Sequence, residues 1–193
     1  MGQHEYMAIK VYVDQGHNPQ NPNAGAEGQG LREQDLVYEI GVRLAALLNA
    51  DPNFTARLSR PTPTTVIGTS NATSLRMRVN DANSWGADVF ISLHTNASSN
   101  ENATGSEALV YRLGSVAADI GSDILVNLNR TTGLRNRGVI ARPGLYVLRR
   151  TTMPAVLVEL GFITNANDAA LMRDNPELFA EGVYRGLREY YGV

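Results

Sequence analysis

Apolar segments of strand length alternate with segments of helical period along almost the whole chain, and this alternation constrains the fold more than any other feature. Strand-like runs occupy residues 10–14 and 89–94, and a long helical pattern between them covers residues 32–49. Such alternation is typical of an α/β domain with a largely parallel sheet. We therefore predict a single α/β domain whose mostly parallel, twisted sheet is flanked by helices.

The remaining elements follow from the same patterns. The other predicted strands are residues 54–59, 107–112, 145–148 and 155–160, and the other predicted helices are residues 75–85, 116–130 and the segment from Pro176 onward. We expect Ser74 to cap the helix that follows it and Gly133 to end the helix before it. With 193 residues and 43% hydrophobic content, the chain can bury one core. We assign residues 9–193 to this domain and residues 1–8 to a flexible segment.

The composition excludes several classes of protein. The chain has no cysteine, so it forms no disulfides and offers a metal only imidazole and carboxylate side chains as main ligands. Its net charge is −2, so we expect no nucleic-acid partner, although the positive charge is nearly all arginine, with Lys10 the only lysine. We find neither a signal peptide nor an apolar run long enough for a membrane span, and we expect no membrane insertion.

Four residues that can bind metals or transfer protons are predicted to meet at one edge of the sheet. His17 follows the first strand, His94 closes the third, and Glu159 lies in the last apolar run, AVLVEL. Glu33 begins a helix whose preceding loop leaves the same edge. Ligands of open α/β sheets bind beyond the carboxyl ends of the parallel strands. We therefore expect a functional site there, and we place His4, near the chain start, outside it.

These residues have the chemistry of a zinc hydrolase site. Two imidazoles with one carboxylate are an established catalytic zinc set, and the remaining carboxylate would then be free to act as a base. Each residue also has an ordinary structural alternative. A single histidine after a strand is commonly a hydrogen-bonded structural group, and Glu33 in the first turn of a helix is favoured by the helix dipole alone. Glu159 is different, because an unpaired carboxylate inside an apolar run costs several kcal/mol.

The segments VDQGHN, GLREQDL, ISLHTNA and RGVIARPGLYVLRRTTMPAVLVELGFITN resemble the zinc-dependent N-acetylmuramoyl-L-alanine amidases, specifically the type 3 catalytic domain. The resemblance covers about residues 10–191. It implies a six-stranded fold of the phosphorylase/hydrolase-like type, one Zn²⁺ per chain on His17, Glu33 and His94, and Glu159 as the catalytic residue. It also implies a peptidoglycan substrate, both glycan strand and stem peptide, cut at the cell wall in the extracellular or periplasmic space.

The family commonly has Asp-Pro-Gly-His-Gly where this chain has Asp14-Gln15-Gly16-His17-Asn18, and we expect Gln15 to alter only the turn. Asp14 and Asn96 are predicted to orient the metal ligands by accepting hydrogen bonds from the imidazoles, with a turn residue as the alternative for Asn96. Glu107 matches an acidic position of the family and is a candidate for substrate contact.

Two arginines, Arg78 and Arg137, also fall in matching segments of the chain. We expect surface salt bridges for both of them, with the holding of loops or of stem-peptide carboxylates as the alternative.

Three other functions are compared with the amidase. A glycosidase would use two carboxylates and need no histidine pair. A zinc peptidase would cut within the stem peptide, and the lack of an H-E-x-x-H helix argues only against the commonest class. A catalytically silent wall-binding module would tolerate the loss of Glu159.

Overall fold

The computed structural model describes residues 7–193, so His4 and most of the predicted flexible segment lie outside the described residues. A six-stranded sheet with the order β4-β1-β5-β8-β6-β7 forms the centre of the fold. Its strand pairs are parallel except for β6 and β8, which are antiparallel. The predicted single α/β domain with a mostly parallel six-stranded sheet is confirmed.

The strands are β1 Ile9–Gln15, β2 Glu27–Gly28, β3 Leu31–Arg32, β4 Phe54–Leu58, β5 Val89–Asn96, β6 Ser106–Val110, β7 Asn136–Ala141 and β8 Ala155–Phe162. The helices are α1 Glu33–Ala50, α2 Asn71–Trp85, α3 Val116–Thr132, α4 Tyr146–Arg150, α5 Ala166–Asp174 and α6 Pro176–Tyr191. The short strands β2 and β3 pair with each other in the loop that leads into α1.

Helices cover both faces of the sheet. Alternate apolar residues of the central strands, such as Val11, Ile91 and Val158, pack with α1, α3 and α6 in the larger core. The residues between them, such as Phe90 and Leu157, pack with α2 and α4 in the smaller core. The sheet is therefore apolar on both sides, as expected for buried parallel strands. Within residues 7–193, none of the helices combines the length and hydrophobicity needed to cross a membrane.

Three local predictions were wrong. Residues 145–148 lie largely in the one-turn helix α4 instead of a strand, and the missing sheet strand is β7, Asn136–Ala141. The cap of α2 is Ser70, whose side chain accepts a hydrogen bond from the Thr73 N–H, while Ser74 lies inside the helix.

The prediction that Gly133 ends α3 is confirmed, and this glycine has the left-handed backbone typical of that position.

The alternation of side chains along β5 and β8 determines which helix layer the functional residues face. Ser92 and His94 lie on the same side of β5 as Phe90, and Glu159 lies on the same side of β8 as Leu157. These side chains therefore point from the carboxyl ends of their strands towards the layer that contains α2 and α4.

Candidate metal centre and catalytic glutamate

The structure brings His17, Glu33 and His94 together from three different elements. His17 follows β1, Glu33 is the first residue of α1, and His94 lies near the end of β5. One donor atom from each residue lies within 4.8 Å of the others. Glu33 Oε1 is 3.2 Å from His17 Nε2 and 3.2 Å from His94 Nδ1.

These distances fit a zinc ion. Zinc bonds to nitrogen and oxygen are about 2.0–2.2 Å long, so neighbouring ligand atoms of a tetrahedral site lie roughly 3.3 Å apart. The observed separations of 3.2 Å agree with that value. The donor set also fits, because two imidazoles with one carboxylate leave the fourth position open.

Glu33 is fixed before any metal binds. It is 3% exposed, and its two carboxylate oxygens accept hydrogen bonds from the backbone N–H groups of Thr95 and Ala26, each at 3.0 Å. Burial alone would raise the pKa of Glu33, but the hydrogen bonds and positive charge of His17 and His94 lower it well below its usual range. Glu33 is therefore held as a carboxylate, the form that a metal requires.

Two glycines and one unusual backbone conformation allow His17, Glu33 and His94 to lie close together. His17 has a positive φ of 68°, which is uncommon for a residue with a side chain and is found at functional sites. A Cβ added at Gly16 would lie 2.5 Å from His94 Cε1, and one added at Gly25 would lie 2.9 Å from Glu33 Cβ. His94 and Glu33 thus lie directly against the backbone of two residues that have no side chain.

Both histidines also bind protein groups through their second ring nitrogens. His17 Nδ1 lies 3.2 Å from Asn23 Oδ1, and His94 Nε2 lies 3.1 Å from Ser92 Oγ. Neither partner was predicted from the sequence. Ser92 could have been found, because it precedes His94 by two residues on the same face of the strand. Asn23 lies in an irregular loop that gives no such signal.

His94, Glu159 and Glu107 form a row across three neighbouring strands. His94 of β5 is in register with Glu159 of β8, and Glu159 is in turn in register with Glu107 of β6. Residues in register point to the same face of a sheet, so the row places Glu159 beside His94, one of the three candidate metal ligands. The sequence prediction that Glu159 meets His94 at this edge agrees with this register.

The environment of Glu159 favours its protonated form in the absence of a metal. Burial raises the pKa of Glu159 to about 8, with further contributions from the negative charges of Glu33 and Glu107. Its Oε2 atom is buried and has no hydrogen-bond partner among residues 7–193. A carboxyl with a pKa near neutrality can both accept and return a proton, as general acid–base catalysis requires.

Glu107 is held at the other end of this row. The Asn96 side-chain amide donates a hydrogen bond to Glu107 Oε1, and Arg137 Nε lies 3.5 Å from Glu107 Oε2. Among residues 7–193, the Asn96 side chain thus forms a hydrogen bond with Glu107 and with neither histidine. The Arg137 side chain is 29% exposed and that of Glu107 is 13% exposed, and Arg137 Nε is buried, so this salt bridge is partly buried and is not the surface salt bridge that the sequence predicted.

Two other sequence predictions need correction. Arg78 does not form a surface salt bridge: it is 1% exposed and pairs with the buried Asp14 at 2.8 Å.

Gln15 does more than alter the turn. Its buried side chain accepts a hydrogen bond from the Arg60 backbone N–H at 2.8 Å and packs against Gly41 of α1, where an added Cβ would overlap Gln15 Cγ.

A cavity of about 220 Å³ opens beside the two histidines. Leu75 of α2, Leu157 of β8 and the segment Leu145–Tyr146 form its apolar wall. His17 and His94 therefore border a recess that can take small apolar groups of a ligand.

The α/β sheet thus carries a His-Glu-His cluster that could hold a metal ion, beside a carboxyl of raised pKa, an arrangement suited to a hydrolytic enzyme. The model of the N-acetylmuramoyl-L-alanine amidase family, Amidase_3, matches residues 11–189. The chain belongs to this family.

Individual relatives agree with the family match. The chain is 35% identical to the N-acetylmuramoyl-L-alanine amidase CwlM of Bacillus licheniformis over 180 residues, which are 92% of this chain and 65% of CwlM. It is 36% identical to the amidase LytC of Bacillus subtilis (strain 168) over 188 residues, 94% of this chain and 35% of LytC. The chain thus spans less than two thirds of these relatives.

A solved structure shows the same fold. The crystal structure of the N-acetylmuramoyl-L-alanine amidase from Clostridium difficile 630 superposes with a TM-score of 0.85 and 28% identity, over 96% of this chain and 97% of that one.

Proposed function

We propose that this protein is a zinc-dependent amidase of peptidoglycan. It would hydrolyse the amide bond between the lactyl group of N-acetylmuramic acid and the L-alanine that begins the stem peptide. The observation that carries this proposal is the His17, Glu33 and His94 cluster with Glu159 in register beside His94. The family match supports the choice of substrate.

His17, Glu33 and His94 would hold one zinc ion. When bound, zinc would supply Lewis acidity towards the scissile carbonyl and make a water molecule more acidic. Glu159 would accept the proton of the attacking water and deliver it to the leaving amine of L-alanine. The apolar wall of the neighbouring cavity would face the methyl groups of the lactyl and alanyl units on either side of the bond.

The proposed substrate indicates where the enzyme acts. Peptidoglycan lies outside the cytoplasmic membrane, so we propose that the protein acts at the bacterial cell wall, in contact with both the glycan strand and the stem peptide. The names of the relatives CwlM and LytC, both N-acetylmuramoyl-L-alanine amidases, support this proposal.

The proposal is tested by digesting purified peptidoglycan with and without a chelator and identifying the soluble products by mass spectrometry. We expect stem peptides with a free N-terminal L-alanine and no new reducing ends, with activity lost on chelation and restored by added zinc. New N-termini inside the stem peptide would indicate a peptidase. New reducing ends would indicate a glycosidase, and undigested wall that retains bound protein would indicate a binding module.

A further inference from the structure

We propose that Arg78, Ser92 and Asn23 are positioning residues of the metal centre. A hydrogen-bonded network that branches from the buried Arg78 holds both imidazoles so that each presents the correct nitrogen to the metal. This inference rests on the proposed zinc site, and it concerns residues that neither hold the metal nor contact the reacting bond.

The first branch runs from Arg78 to His94. Arg78 Nη1 donates to Asp14 Oδ1 at 2.8 Å, and Ser92 Oγ donates to Asp14 Oδ2 at 2.7 Å. Ser92 gives its only hydroxyl hydrogen to the carboxylate, which can only accept. Towards His94 Nε2, 3.1 Å away, Ser92 must therefore act as the acceptor. His94 consequently carries a hydrogen on Nε2 and leaves Nδ1, the atom beside Glu33, for the metal.

The second branch runs from Arg78 to His17. Arg78 Nε donates to Ser74 Oγ at 3.3 Å, and Asn23 Nδ2 donates to the same hydroxyl at 3.1 Å. This orients the Asn23 amide so that its Oδ1 faces His17 Nδ1 at 3.2 Å. An amide oxygen only accepts, so His17 carries its hydrogen on Nδ1 and leaves Nε2 for the metal.

Arg78 connects the branches and also fixes the backbone between them. Its guanidinium donates to the carbonyl oxygens of Gln15 and His17, both at 2.6 Å. Because Arg78 is 1% exposed and Asp14 is 1% exposed, this network forms away from water, where hydrogen bonds orient groups most strongly. The two histidines are thereby held to bind through opposite ring nitrogens, which neither residue type nor spacing in the sequence specifies.

The first experiment compares the zinc affinities of Ser92→Ala and Ser106→Ala, measured by competition with a chromogenic chelator. Ser106 is a matched control, because it is also a buried serine of the sheet but donates its hydroxyl to the Leu160 carbonyl at 2.7 Å, outside the network. We expect Ser92→Ala to bind zinc about 10–100-fold more weakly than wild type, the usual effect of removing a partner of a metal-binding histidine. Ser106→Ala should bind zinc like wild type.

Asn23 provides a test by rescue. Asn23→Asp retains an oxygen acceptor for His17, whereas Asn23→Gly removes it and still permits the positive φ of 70° found at this position. We expect Asn23→Gly to weaken zinc binding and Asn23→Asp to retain most of the affinity. A merely structural loop residue would show the opposite order or no difference.

The connection through Arg78 is tested by a double-mutant cycle. Arg78→Lys keeps the charge but loses the planar set of donors that reaches both branches. If the network acts as one unit, Ser92→Ala should cost less zinc affinity in the Arg78→Lys background than in wild type. Additive effects would show that Arg78 does not connect the branches.

Nuclear magnetic resonance of the zinc-loaded, ¹⁵N-labelled protein gives a readout that is independent of turnover. We expect metal binding through His94 Nδ1 and His17 Nε2, with a His94 Nε2–H that is protected from exchange with water and loses that protection in Ser92→Ala. Unchanged zinc affinity and unchanged exchange in Ser92→Ala would overturn this inference while leaving the proposed function intact. Failure of the wild-type protein to bind zinc at all would instead overturn the proposed function.

Discussion

Glu159 and Glu107 lie directly opposite each other across the antiparallel strands β8 and β6. Like charges in such positions disfavour each other, and burial adds to this effect at Glu159. Glu107 is compensated by Asn96 and Arg137, whereas the buried Oε2 of Glu159 has no partner within residues 7–193. Burial and the neighbouring negative charges therefore raise the pKa of Glu159.

The first prediction concerns turnover. Glu159→Gln should bind zinc like wild type but lose about 10²–10⁴-fold in kcat, the range associated with a general acid–base group. Release of L-alanine-terminated peptides and zinc content, measured on the same samples, check this outcome. Glu39→Gln, on an exposed face of α1, is the control. Near-normal turnover of Glu159→Gln would reject Glu159 as the base.

The second prediction concerns the stability of the metal-free protein. The folded state raises the pKa of Glu159 from 4.5 to about 8, so it binds the proton more tightly than the unfolded chain does. The free energy of unfolding should therefore decrease as the pH rises from 4.5 to about 8, and Glu159→Gln should not show this part of the decrease.

Thermal unfolding of both metal-free proteins at pH 5 and pH 8 measures this effect. We expect the Tm advantage of Glu159→Gln over wild type to be larger at the higher pH. The Tm difference between Glu39→Gln and wild type should not increase in this way with pH. An advantage that shrinks with rising pH would mean that Glu159 is not destabilised as a carboxylate.

The third prediction uses Gly16. A Cβ at this position would lie 2.5 Å from His94 Cε1, so Gly16→Ala must displace the His94 side chain without removing it. We expect weaker zinc binding and a loss of about 1–3 kcal/mol of stability, the usual range for overpacking. Gly144→Ala is the control, because an added Cβ there has no atom within 4 Å. Equal zinc affinity in Gly16→Ala and Gly144→Ala would contradict an effect of this contact on zinc binding.

The fourth prediction concerns Gln15 and Gly41. Gly41→Ala should destabilise the protein by about 1–3 kcal/mol, because the new Cβ would overlap Gln15 Cγ. In a Gln15→Ala background the overlap disappears, and the same change should stabilise α1 by about 1 kcal/mol through helix propensity. Urea unfolding of the four proteins gives the two differences. The same sign in both backgrounds would refute the steric explanation.

The sequence was informative where strong patterns coincided. The exits of β1 and β5 and the start of α1 were predictable, because long apolar or helical segments define them. The convergence of His17, Glu33 and His94 followed from the rule for the carboxyl ends of parallel strands. Their roles at the metal stay predictions, as does the role of Glu159.

The errors arose where local signals were weak. The strand β7 is a partly exposed edge strand with the sequence NRGVIA, which lacks a continuous apolar run. It also contains Gly138, whose φ of 92° is unusual for a strand. The short run Leu145–Leu148 is apolar, and a segment of that length does not distinguish a strand from one helical turn. Arg78 was misjudged because its buried partner, Asp14, is far away in sequence and only the fold brings them together.

The reversal of β6 relative to its neighbour β8 has a practical consequence for protein engineering. Because β5 ends and β6 begins at the same edge of the sheet, the polar connection of residues 97–105 lies at the edge where His17, Glu33 and His94 meet. This connection is thus a natural place to insert a gate or an affinity tag beside these three residues.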